Sequence, residues 1–144
     1  MRAILFYICI KSLVSAGQNL GLYGNLQVQV GSSCLKNPNF NISSFDINPW
    51  PPLSNINLSV NMSGNFITNV YVNQLSIGTN FNRQNWNYQH ANVNANFNQG
   101  QHYSFILSTP SGKIPGSYLK QVTLSNNNNQ NYQHLSCWQF TYQL

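Results

Sequence analysis

One carboxylate side chain, Asp46, three histidines, His90, His102 and His134, and three cysteines are the acidic, imidazole and thiol chemistry of this 144-residue chain. Hydrolysis by paired carboxylates needs two acids in one site, and a single aspartate excludes it. No HExxH motif and no close pair of histidines provides metal-ligand spacing, so no metal site and no cofactor are expected. No G-x-S-x-G elbow occurs, which leaves only a Ser-His-Asp set built from His102 or His134 with Asp46 open for nucleophilic catalysis. These absences predict a protein that is not an enzyme and has no catalytic residues.

The cysteines are better placed for structure than for chemistry. The opening "MRAILFYICIKSLVSAG" has Arg2, an apolar run from Ala3 to Ile10 and small residues at Val14, Ser15 and Ala16, interrupted by Lys11. It is read as a signal peptide over residues 1–16, with a single domain over 17–144. Removal of that segment takes Cys9 away and leaves an even pair, Cys34 and Cys137, near the two ends of the chain. A bond between them would pin an early strand to the last one.

The formal net charge is +5. Beyond residue 16 it comes down to Lys36, Arg83, Lys113 and Lys120 against Asp46, four cations less one anion, thinly spread. Nothing resembles the Lys/Arg cluster of a nucleic-acid footprint, and no polybasic stretch favours an anionic membrane. Asparagine, at 25 positions, carries most of the surface polarity, and the tract "NNNNQN" at 126–131 is read as a loop.

Apolar residues recur with period two. In "NINLSVNMSG", Ile56, Leu58, Val60 and Met62 alternate with Asn57, Ser59 and Asn61, which describes a strand with one dry face. Phe40 and Ile42, then Phe45 and Ile47, change phase at Ser43-Ser44, where a bulge is expected. "HYSFIL", "SYLKQVTL" and "SCWQFTYQ" add Tyr103, Phe105, Leu107, Tyr118, Val122, Leu124, Trp138, Phe140 and Tyr142. Breaks are placed at Pro49 to Pro52, Gly64, Gly78, Gly100, Pro110 to Pro115 and the asparagine tract. The pattern predicts an all-β sandwich, with 82–98 either an edge strand or a long ordered loop. Sequons at Asn41, Asn57 and Asn61 are candidate glycosylation sites.

Cys34, "FDINPWPP", "SGNF", "GQHYSFILSTP", "PGSYLKQVTLSN" and "LSCWQFTYQL", in this order over residues 26–144, resemble the ML domain, the MD-2-related lipid-recognition family. The likeness is to its Niemann-Pick C2-like and phosphatidylglycerol/phosphatidylinositol transfer branch. The resemblance implies an immunoglobulin-like β-sandwich of two antiparallel sheets with seven to eight strands, and a disulfide between Cys34 and Cys137. Two further short-range disulfides common in that family are missing here. Trp50 stands in the place of the first and can supply aromatic packing instead.

Transferred to this chain, the resemblance implies a non-enzymatic sterol or phospholipid carrier, secreted or endolysosomal and monomeric, making transient membrane contact and meeting a membrane transporter. Leu58, Val60, Met62, Phe66, Val70, Tyr103, Phe105, Tyr118, Val122, Trp138 and Phe140 would line its lipid cavity. The competing expectation is an interaction or adhesion module, or an accessory to a surface receptor, in which the same residues fill the core. The discriminator is what occupies the space between the sheets.

Overall fold

The computed structural model describes residues 29–128 and 131–144. The leader expected at 1–16, with Cys9, lies outside the described residues. The period-two segments form β1 (Ser32–Ser33), β2 (Phe40–Asn48), β3 (Asn57–Phe66), β4 (Val70–Phe81), β5 (Trp86–Phe97), β6 (His102–Pro110), β7 (Ser117–Asn128) and β8 (Asn131–Gln143). All pairings are antiparallel, in one sheet ordered β1-β8-β7-β4-β5 and another ordered β2-β3-β6. The result is the all-β sandwich expected, with open sheets of five and three strands that do not close into a barrel.

Alternation dictates which side chains meet between the sheets. Leu58, Val60 and Met62 from β3 are fully buried, as are Val122 and Leu124 from β7. Aromatic rings span the gap: Phe45 of β2 stacks on Trp138 of β8 with centroids 5.4 Å apart, and Phe66 of β3 stacks on Phe97 of β5 at 4.3 Å. Such offset contacts add about 0.5–1.5 kcal/mol each beyond the area they bury. The register of β2 against β3 shifts between Ile42 and Ser44, where the bulge was expected.

Cys34 and Cys137 are joined, with Cα atoms 5.0 Å apart. The short β1 pairs with β8 just before this bond, and the Trp138 indole donates to Val30 O at 2.8 Å. The beginning of the described chain is thereby tied to its last strand. After β2 the chain turns through Asn48-Pro49 and Trp50-Pro51, both cis. Trp50 packs edge-on against Phe140 and Tyr142, at 6.3 and 6.4 Å.

Three local expectations change. The asparagine tract belongs largely to the β7–β8 hairpin, because Asn126 pairs with Gln133, Asn127 with Tyr132 and Asn128 with Asn131. Backbone pairing, indifferent to side-chain polarity, overrides the loop preference of asparagine there. Gly64 and Gly78 lie inside β3 and β4 rather than at breaks. Region 82–98 resolves to an edge strand, β5, preceded by a turn in which Asn82 and Arg83 take positive φ.

Candidate ligand-binding face

The outer face of the five-stranded sheet carries what a wet sheet surface ordinarily lacks, a row of aromatic rings. On β5, Trp86, Tyr88 and His90 occupy alternate positions and so point to one side. Their registers opposite Asn80, Gly78 and Ser76 put them on the side away from Leu75 and Ile77, which are buried between the sheets. Trp86 and Tyr88 lie 5.9 Å apart at 20°, and Tyr88 and His90 6.1 Å apart at 8°. The three rings are therefore close to parallel.

Gly78 makes room for this row. A Cβ at Gly78 would come within 2.7 Å of Tyr88 Cε1 and 2.9 Å of Trp86 Cε3, so both rings lean across β4 where it has no side chain. His90 is anchored by a 2.8 Å hydrogen bond between Nδ1 and Ser76 Oγ. Across β7 the floor continues with Gln121 and Thr123, and Gln121 Nε2 donates to Gln139 Oε1 at 3.3 Å. Tyr132 and His134 of β8, edge to face at 4.9 Å, form the far wall. Ser76, Tyr88, His90, Gln121, Thr123, Tyr132 and His134 together line a depression of about 330 Å³. Tyr88 and Tyr132 are each more than half exposed.

Among the described residues no Lys, Arg, Asp or Glu lines this depression. The only charged residue in β4, β5, β7 and β8 is Lys120, which is buried between the sheets. Hydroxyl, carboxamide and imidazole groups, beside the ring faces, make a surface able both to donate and to accept hydrogen bonds.

The residues expected to line a lipid cavity come together, but as packed core. Leu58, Val60, Met62, Phe66, Phe105, Tyr118, Val122, Trp138 and Phe140 belong to the central cluster, with Val70 half-buried at its margin. Tyr103 is 42% exposed and packs on Phe97 and Phe105. Asn41 and Asn57 are exposed on the three-stranded sheet and Asn61 is half-buried there, where its Oδ1 accepts from Ser63 Oγ.

The histidines do not assemble a catalytic set. His102 bonds Asn65, His90 bonds Ser76, and His134 packs on Tyr132. Asp46 lies on β2 in the other sheet, so the Ser76–His90 pair has no carboxylate to orient its imidazole. Among the described residues no group of three His, Cys, Asp or Glu side chains could hold a metal.

No family model and no curated protein matches the chain. Among solved structures, the C-terminal domain of wzt is similar over 81% of each chain, with a TM-score of 0.67 and 15% identity, a likeness of fold. These findings overturn the ML resemblance. The quoted motifs occur in the expected order, yet they are common β-sandwich punctuation, an early cysteine, a proline-rich turn and aromatic strand ends, and they do not specify a family. Sterol and phospholipid transport fall with it, as the rings meeting between the sheets fill the place of a lipid. The secreted or endolysosomal destination was implied only by that family and is withdrawn with it.

Proposed function

We propose that this protein is a non-catalytic carbohydrate-binding module that uses the outer face of its five-stranded sheet. The observation that carries the reading is the parallel row Trp86, Tyr88 and His90 beside an uncharged floor of Gln121 and Thr123. A sugar ring has apolar C–H faces and a rim of hydroxyls. Exposed aromatic faces suit the first, and amide and hydroxyl side chains satisfy the second. A lipid tail asks for an enclosed apolar cavity, and single-stranded nucleic acid for cations along a stacking platform; this face has neither.

Affinity electrophoresis through gels containing hydroxyethylcellulose, xyloglucan or galactomannan tests the reading. At least one neutral polymer retards the native protein, and the double variant Trp86→Ala/Tyr88→Ala loses about tenfold or more in affinity with an unchanged thermal midpoint. Retardation by none of them, or equal retardation of the variant, contradicts it. Gly78→Val provides a second check, because its side chain must lift both rings from β4. It is expected to weaken retention severalfold without removing either ring.

A further inference from the structure

Lys120 takes no part in the outer face. It points between the sheets, is 0% exposed, and its Nζ donates to Thr79 Oγ1 at 2.8 Å and Thr109 Oγ1 at 2.9 Å. Thr79 belongs to β4 and Thr109 to β6, so the ammonium bridges the two sheets at the side where their edge strands β5 and β6 face one another. Thr109 Oγ1 in turn donates to Gln89 Oε1 of β5 at 3.1 Å. Both partners of Nζ are neutral, and an ammonium has three N–H groups for these two bonds.

Beside this network lies a cavity of about 240 Å³ whose walls include Thr79, Asn87, Gln89, Tyr118 and Lys120. It is too small for a lipid or an oligosaccharide and large enough for a carboxylate with a few attached atoms. Its other polar walls include the carboxamides of Asn87 and Gln89 and the Thr79 hydroxyl, donors suited to an oxyanion, whereas the Tyr118 hydroxyl is committed to Ile114 O at 2.8 Å. Burial lowers the Lys120 pKa to about 8, leaving it mostly cationic at neutral pH. One buried positive charge is matched by one negative charge; a phosphate dianion would leave an excess charge in the same low-dielectric seam.

We propose that this seam binds a small monocarboxylate, with Lys120 as its counter-ion and Gln89 as the movable side chain at its mouth. Gln89 is exposed on an edge strand while Lys120 is fully covered, so rotation of Gln89 away from Thr109 is the rearrangement that admits the ligand. This inference is independent of the outer face and of its ligand.

The test compares sodium acetate with sodium chloride at equal ionic strength and with neutral acetamide, on the full chain at pH 7. Acetate is expected to give a saturating rise of a few degrees in the thermal midpoint, which chloride and acetamide do not give. In Lys120→Met the saturating rise disappears. A ¹H–¹⁵N titration of the native protein should shift the amides of Thr79, Gln89, Thr109 and Lys120 with the same midpoint concentration. A rise of equal size in Lys120→Met, no saturating rise in the native protein, or shifts confined to other regions would overturn the proposal.

Discussion

Replacing Cys34 and Cys137 by serine is expected to lower the unfolding free energy by about 4–5 kcal/mol. The bond closes a loop with a sequence separation of 103 residues. Removing that constraint restores chain entropy to the unfolded state, worth about 4.7 kcal/mol for a loop near 100 residues. A single domain has only about 5–15 kcal/mol in total, so the double variant should be near its threshold at 37 °C. The loss has a local component as well, because two-residue β1 has little besides its pairing with β8 to hold it there. Urea denaturation followed by tryptophan fluorescence measures the effect. A difference below about 1 kcal/mol would show that strand pairing and core packing hold the end of the sandwich without the covalent link.

Lys120→Met is expected to work in the opposite direction, stabilising the protein at neutral pH by the roughly 3 kcal/mol cost of the buried charge less the two hydrogen bonds that Nζ gives Thr79 and Thr109. The unfolded side chain titrates near 10.5 and the folded one near 8, solely through desolvation. Between those values the unfolded chain binds the proton more readily, so stability rises with pH from about 8 toward 10.5; below 8 the native protein carries the full cost of a buried charge. Tyr142 acts in the reverse sense. Its hydroxyl donates to Ser111 O at 2.6 Å, and burial, with a smaller contribution from Tyr118, raises its pKa above the ordinary value of 10. Above pH 10 the unfolded tyrosine loses its proton first, which withdraws stability. The native protein should therefore be most stable near pH 10. Methionine keeps the length of the lysine stem without its charge, and the variant should show no rise between pH 8 and 10. Urea midpoints across that range decide the matter, and a variant less stable than the native protein at pH 7 would contradict the account.

The strand pattern was legible because period-two alternation is a direct consequence of one buried face, as Leu58, Val60 and Met62 illustrate. The same rule concealed the candidate site. Alternation predicts apolar residues inward, whereas over much of β5 the large rings of Trp86, Tyr88 and His90 point out and Asn87 and Gln89 lie toward the seam. An aromatic at every second position among asparagines and glutamines was the signal available, in "WNYQH" and again in "YQH" at 132–134. Gly78 could not be distinguished from a turn without knowing that two rings cross above it. Lys120 was legible too, since it shares parity with Tyr118, Val122 and Leu124, whose apolar side chains mark the inward face of β7. Family likeness failed for a different reason. Cysteine and turn placement follow from the mechanics of a sandwich, and many unrelated chains meet those mechanics in the same order.

The proposed carbohydrate sits on the outer aromatic face, clear of the apolar core between the sheets. A ¹H–¹⁵N titration of the native protein with a soluble neutral oligosaccharide series, prepared from the polymer that retards it most, tests this directly. Saturating shifts at Trp86, Tyr88, His90, Gln121 and Thr123, including the Trp86 indole N–H, with the core amides of Val60, Met62 and Val122 unmoved, are the predicted result. Shifts centred on the core residues, or no shift at the Trp86 indole with saturating ligand, would contradict it.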